Sequence, residues 1–173
     1  MAGTDLGSRI LKVDHAGEFG AICIYTGQIM VARFFAKDLV SELSEFRSHE
    51  RGHREIFGAE LKRRGQRRCR SYWLCGIGGL SLGILTGLLG RSAISATTVA
   101  VESVVLQHLE RQLADLRAVD EAAVVAISSV VMEERLHHDQ AASHILESNV
   151  WYRILKPVVA AATESVIWLG MKL

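Results

Sequence analysis

Proline is almost missing from this chain: Pro157 stands alone, and few stretches alternate apolar and polar residues with period two. Without the punctuation that hairpins and sheet edges need, a sheet-built fold is excluded and an all-α reading is left. Cysteine is scarce as well. Cys23, Cys69 and Cys75 are odd in number and form no C-x-x-C pair, which excludes a disulfide framework and a zinc ribbon and suits free thiols in a reducing compartment. Met1 to Arg9 is short, polar and glycine-bearing, so it does not read as a secretory leader, and the expectation is a protein that is not secreted. Acid is missing from one long window. Between Glu60 and Glu102 there is none, while Lys62, Arg63, Arg64, Arg67, Arg68, Arg70 and Arg91 give that window +7 and leave the remainder at −6.

Within that window, residues 71–90 (SYWLCGIGGLSLGILTGLLG) carry no charged side chain. At ~1.5 Å per residue such a stretch is formally long enough for a ~30 Å hydrocarbon core, although its glycines weaken it as a span. Gly79, Gly83 and Gly87 fall four apart on one helical face, which permits close helix contact, and Tyr72 and Trp73 at its entrance suit a water–lipid boundary. A basic cluster beside an apolar, aromatic-edged helix predicts a membrane-associating segment over residues 62–91, with a buried core helix as the competing reading. No aromatic platform or recognition helix accompanies the arginines, so nucleic acid is not an expected partner. GIGGLSLG lacks the third glycine and a preceding strand, so it is not a dinucleotide loop.

What is abundant is helix-forming, patterned sequence. A chain of 173 residues, 49% hydrophobic and 23% charged, suits one domain over 1–173 with an ample core. Helices are predicted near 5–34, 38–64, 72–89, 92–117, 120–147 and 151–172, with Asp38 and Asp120 as N-caps, Gly65 and Gly90 as stops and Asn149 between the last two. An internal repeat runs through them. Glu18 precedes Glu50 by 32 residues and Glu102 precedes Glu134 by the same 32, and each second glutamate opens an E-x-x-H, with His53 and with His137. The offset of 84 also superposes Gln28 on Gln112. Each half therefore reads as a helical hairpin whose turn, near Phe34 or Ala118, brings the lone glutamate level with the glutamate–histidine pair.

Residues i and i+3 share a helix face, so each E-x-x-H can aim a carboxylate and an imidazole at one point. Four carboxylates buried together are intolerable unless cations neutralise them. Two divalent metals would do so, and a glutamate from each of two helices plus E-x-x-H from two others is the ligand pattern of di-iron and di-manganese bundles. Mixed oxygen and nitrogen ligation suits iron that meets dioxygen. His49-Glu50-x-x-His53 also matches the H-E-x-x-H of zinc proteases, but position 133, equivalent to His49, is glutamate. His49 is thus read as incidental, and a single-zinc protease as a remote alternative. Spacing alone also allows Glu133 with His137 or Glu134 with His138; the repeat favours Glu134 with His137. His15, His138 and His144 are expected to be packed or solvated. His108 lies six residues beyond Glu102, about 120° around the helix, where it could line a pocket but not share that ligand's direction.

With these residues assembled, RILKVDHAGEFGA with IYTGQ, ERGH, TVAVES and EERLHHD resemble the motifs of the demethoxyubiquinone hydroxylase family over nearly the whole chain. The resemblance implies a ferritin-like four-helix di-iron bundle with an additional apolar membrane-associating helix between the hairpins and a C-terminal helix. It implies metal ligands at Glu18, Glu50, His53, Glu102, Glu134 and His137, with Glu50 and Glu134 bridging, and a substrate pocket near Gly17, Gly20, Ala21, Tyr25 and His108. A buried tyrosine bonded to backbone is the plainer expectation for Tyr25. The implied reaction is hydroxylation of the ring of a demethoxyubiquinol, a polyprenyl quinol, with dioxygen as co-substrate and reduced nicotinamide as electron source. The implied setting is peripheral, on the cytoplasmic face of a bacterial inner membrane or the matrix face of the mitochondrial one, as a homo-oligomer or within a ubiquinone-biosynthesis complex. The chain departs from the resemblance at Ser103, where many members carry glutamate, and at Leu109, where some carry tyrosine. A ferritin-like iron- or peroxide-handling protein is the alternative that would share the ligands without needing the apolar segment.

Overall fold

Long proline-free stretches wind into helix throughout the computed structural model, which describes residues 2–145 and 150–172. The described residues form α1 (Ala2–Phe35), α2 (Leu39–Arg63), α3 (Tyr72–Leu88), α4 (Arg91–Leu116), α5 (Glu121–Ser128), α6 (Val131–Ser143) and α7 (Val150–Lys172). The predicted helix over 120–147 is in fact two: α5 ends at Ser128, α6 begins at Val131, and the hydroxyls of Ser128 and Ser129 bond back to the carbonyls of Val125 and Ala126. Side chains that compete for backbone carbonyls in this way loosen a helix locally. Asn149, expected between the last helices, lies outside the described residues.

The helix ends follow the expected chemistry only in part. Asp120 caps α5 by accepting from the amide of Ala123, and Gly65 and Gly90 take the positive φ values of 64° and 89° that end α2 and precede α4. Asp38 makes no cap hydrogen bond; its carboxylate turns to Arg91. Pro157 sits inside α7, where the ~3 kcal/mol interior penalty of proline is tolerated near the exposed side of the helix.

Four lengths of helix, α1, α2, α4 and α5 with α6, make the bundle, while α3 lies along α1 and α7 along α4. The glycine face of α3 is what permits its approach. A Cβ at Gly83 would stand 2.1 Å from the carbonyl oxygen of Ile24, and one at Gly79 2.3 Å from that of Gly20, so neither position admits a side chain. The C-terminal end of α7 returns to the start of α3, where Gly170 meets Val13, Ser71 and Cys69. At the helix ends, Arg64 grips Asp120 with two hydrogen bonds of 2.5 and 2.8 Å, tying α2 to the start of α5.

Two apolar clusters fill the bundle at different heights. One joins Ile10, Leu11, Phe57, Leu61, Leu116, Ile127 and their neighbours; the other joins Tyr25, Ile29, Leu43, Phe46, Ile94 and theirs. Along α1, α2 and α4 the predicted ligands fall between these clusters, and on α6 Glu134 and His137 follow the first cluster while Phe46 of the second packs on His137, so the polar residues of the bundle are capped above and below by close-packed side chains that exclude water.

Candidate metal centre

The hairpin repeat brings its six residues to one place. Glu18, Glu50, His53 and Glu134 present ligand atoms within 4.8 Å of one another, as do Glu50, Glu102, Glu134 and His137, and all six residues are buried. Glu50 and Glu134 belong to both groups. Each imidazole turns its Nδ1 inward, toward the glutamate of the opposite hairpin: His53 lies 2.9 Å from Glu134 Oε1, and His137 lies 3.2 Å from Glu50 Oε1. These pairs are close without being aligned as hydrogen bonds. Both Nδ1 atoms, both carboxylate oxygens of Glu134 and Oε1 of Glu50 are sealed from solvent with no hydrogen-bond partner. Polar atoms left in that state each cost about 1–3 kcal/mol, and they converge on a common centre, which is the arrangement a bound cation satisfies.

The electrostatics carry the same message. Burial, then repulsion from Glu50, pushes the Glu18 carboxyl well above the usual carboxylate range; burial, then Glu134, does the same to Glu102. Burial also works to raise Glu50, but the neighbouring Glu18 carboxyl and the His137 and His53 imidazoles outweigh it and hold it low. For His53, burial opposes protonation, yet Glu134 and Glu50 overcome it and carry the imidazole up to about 10. Carboxylates that hold protons for want of counter-charge release them to divalent cations, so this donor set fits two hard or borderline metals.

Tyr25 donates its hydroxyl to Glu102 Oε1 at 2.7 Å, not to backbone, and it packs in the upper apolar cluster instead of lining the cavity described below. Burial, then the Glu102 charge, keeps that phenol protonated. Ser103 bonds the carbonyl of Val99 in its own helix, and Leu109 is part of the core. The outer nitrogens of the two histidines are also engaged. Nε2 of His53 meets Glu133 Oε2 at 2.8 Å, and Nε2 of His137 meets His49 Nδ1 at 2.9 Å with the ring planes 4° apart. His49 is therefore not incidental. It falls outside both candidate ligand groups, which removes the H-E-x-x-H pairing, but it orients His137; Glu133 is the outer partner of His53 and not a member of either group. Its 84-residue offset from Glu133 was the available signal, because the repeat extends one position beyond the ligands. His138 pairs with Asp139 and His144 with Glu42 toward the surface, while His15 stacks on Tyr72.

A cavity of about 290 Å³ reaches this cluster from between α1, α3, α4 and α7. Its wall includes Glu18, Glu50, Glu102 and Glu134, and of the predicted pocket residues Gly17, Gly20, Ala21 and His108 line it. A Cβ at Gly17 would meet nothing within 4 Å, so its smallness leaves cavity space open. His108 Nε2 meets the carboxylate Oε2 of Glu164 on α7 at 2.9 Å.

The outward faces of α3 and α7 are apolar. Trp73, Leu74, Ile77, Leu85 and Leu88 on one, and Ile154, Val158 and Trp168 on the other, are all more than half exposed. With 17 residues, α3 is about 25 Å long at the ~1.5 Å rise, short of a ~30 Å core. Among the described residues it is α7 that is long and apolar enough to cross a membrane, a feature the sequence reading left unremarked. The basic window contributes less than its charge suggests. Arg63 and Arg64 turn back to Glu60 and Asp120, and Arg91 to Asp38, whereas Arg68 covers the rings of Tyr72 and Trp73, each at 5.0 Å.

Comparison with known proteins bears on this geometry. The family model described as ubiquinone biosynthesis protein COQ7 matches residues 5–170. A relative from Homo sapiens, named NADPH-dependent 3-demethoxyubiquinone 3-hydroxylase, mitochondrial, is 32% identical over 170 residues, 95% of this chain and 77% of the relative. One of the same name from Dictyostelium discoideum is 32% identical over 168 residues, 95% of this chain and 76% of the relative. A bacterial relative from Rhodospirillum rubrum, named 3-demethoxyubiquinol 3-hydroxylase, is 30% identical over 163 residues, 94% and 76% of the two chains.

Proposed function

Because the chain belongs to the ubiquinone biosynthesis protein COQ7 family, we propose that it hydroxylates the ring of a demethoxyubiquinol with dioxygen, at two iron ions held by Glu18, Glu50, His53, Glu102, Glu134 and His137. It is an oxidoreductase of ubiquinone biosynthesis, of the 3-demethoxyubiquinol 3-hydroxylase type. The observation that carries the di-iron reading is the convergence of partnerless, fully buried oxygen and nitrogen atoms at the end of an apolar cavity. Glu50 and Glu134, which belong to both ligand groups, would bridge; Glu18 with His53 and Glu102 with His137 would complete the two positions.

When bound, iron supplies the reduction of dioxygen that no side chain can perform. The chain's own residues do the rest. His49 and Glu133 hold the imidazoles in the tautomer that turns Nδ1 inward. Tyr25 fixes one oxygen of Glu102. The apolar clusters on either side keep bulk water from the reacting ring. Val13, Ile24, Leu82 and Val105 shape the cavity around a flat head group, and the polyprenyl tail would leave between α3 and α7. Each methylene kept out of water there contributes ~0.8 kcal/mol. An iron-storage protein would have no use for this apolar route.

The exposed faces of α3 and α7 would rest in the lipid surface, with Trp73 and Trp168 near the shared end and Arg67, Arg68, Arg70 and Lys172 available to anionic head groups. The membrane would be the cytoplasmic face of a bacterial inner membrane or the matrix face of the mitochondrial one. Reduced nicotinamide is the proposed electron source, following the names of the relatives that are called NADPH-dependent. In a mutant strain that accumulates the demethoxy precursor, the wild-type chain is expected to restore ubiquinone and Glu134→Ala is not. Purified wild type should carry close to two irons per chain. Restoration by both proteins, or a single tightly held zinc, overturns the reading.

A further inference from the structure

One half-buried carboxyl group on the cavity wall has no part in the ligand cluster. Asp14 lies one helical turn before Glu18 on α1, so both side chains leave the same face, and both line the cavity. Its Oδ1 accepts a hydrogen bond of 2.9 Å from Gln112 Nε2 on α4, across a sequence separation of 98. Its Oδ2 is sealed from solvent and has no partner.

The other polar groups on that wall outside the cluster are already engaged. His108 pairs with Glu164, the Thr163 hydroxyl bonds the carbonyl of Val159, and Ser71 lies 3.0 Å from Cys69 Sγ, with Cys75 Sγ also directed at it. The remaining wall, including Val13, Ile24, Leu82 and Val166, is hydrocarbon. A ligand whose head carries hydroxyl groups and whose remainder is apolar would thus meet one carboxylate acceptor outside the cluster, with an oxygen that has no partner of its own, one helical turn from the ligand carboxylate of Glu18.

We propose that Asp14 anchors the substrate's ring, its Oδ2 taking a hydrogen bond from a hydroxyl of the quinol head while Gln112 fixes the plane of the carboxyl group. The inference rests on the quinol reading above and adds the residue that sets the ring's orientation. Burial supports the role by pushing the Asp14 carboxyl up to about 7 against the opposing pull of Gln112. Near neutral pH the group can then accept from a quinol hydroxyl when ionised or donate to a quinone carbonyl when protonated, so it suits both oxidation states of one head group. Asparagine at this position would keep the shape, but with its oxygen turned to Gln112 it would present a donor to the cavity.

The test uses the full-length, iron-loaded protein and two probes: a decyl-substituted hydroquinone and the same molecule with both hydroxyls methylated. Wild type is expected to favour the hydroquinone by about tenfold, the size of one hydrogen bond to a charged acceptor. Asp14→Asn should lose most of that preference, bind the dimethyl ether within about twofold of wild type, and retain its iron. In turnover it should raise KM for the quinol more than it lowers kcat. Asp14→Asn retaining the preference overturns the anchor and leaves the quinol reading standing, as does a wild type that binds the two probes equally. A wild type that binds neither probe sinks the quinol reading and the anchor together. Should the asparagine variant fail to fold, Gln112→Leu decides on the same measurement. A severalfold loss of preference is expected there, and an unchanged preference overturns the proposal.

Discussion

The two hairpins supply the same three candidate ligands each, yet the residues behind the ligands differ. His53 of the first rests its outer nitrogen on a carboxylate, Glu133, while His137 of the second rests its own on another imidazole, His49. Glu102 of the second receives the Tyr25 hydroxyl; the position 84 residues beyond Tyr25 is Leu109, so Glu18 receives no matching donor. The repeat has thus kept what a metal pair must have and let its supports diverge. A carboxylate behind an imidazole raises its basicity and a second imidazole does so less, so two metals bound here would sit in unlike fields.

The sharpest way to break this comparison is to remove the charged support. Glu133→Gln is expected to weaken metal binding about 10- to 100-fold, and His49→Gln by less than about tenfold, because only the first removes a negative charge behind the ligand. Cobalt(II) titration followed by its visible absorption reads both. Equal losses would mean the halves are supported alike.

Next in size is Tyr25→Phe. It deletes a buried hydrogen bond to an ionisable acceptor, so stability should fall by about 1–3 kcal/mol in chemical denaturation, with the metal pair retained. Leu109→Phe, at the equivalent position, would show no hydrogen-bond loss of this kind.

The smallest effect concerns Asp14, whose equivalent by the offset is Thr98, bonded to the carbonyl of Ile94. Burial pushes the folded Asp14 carboxyl up to about 7, well above the ordinary aspartate range. An acid whose folded value is raised binds its proton more tightly in the native state, so native stability is fully present below about pH 4 and declines as pH rises through about 7. Asp14→Asn escapes that decline. The full shift would carry about 4 kcal/mol, but Asp14 is half-buried and solvent screening reduces it, so relative to wild type the variant should gain roughly 1–2 kcal/mol between pH 4 and pH 8, read by thermal melts of the two proteins across that range, and no gain would mean the carboxyl is solvated.

Much of the architecture was legible in the sequence, and the reasons are local. Glu50 with His53 and Glu134 with His137 declare themselves because three residues make nearly one helical turn. Gly79, Gly83 and Gly87 announce a close contact for a similar reason, although not that α1 is the partner. The break between α5 and α6 was missed because Ser128 and Ser129 are compatible with helix, and only their bonds to backbone carbonyls end it. Asp38 does stand at the N-cap position of α2, but Arg91, far along the chain, takes its carboxylate from the cap. The apolar length of α7 was not legible because its charged residues interrupt what is otherwise a long apolar helix.

The sequence by itself determined which side chains share a helix face and where the chain must reverse, since helical periodicity and the 84-residue repeat are properties of order along the chain. Only the tertiary structure decided that Tyr25 serves Glu102, that His49 and Glu133 each support the opposite hairpin, and that Asp14 meets Gln112 beside a cavity, at separations of 77, 88, 80 and 98 residues. Those pairings depend on the rotation and depth at which packed helices settle, which many side chains set jointly and no local pattern records.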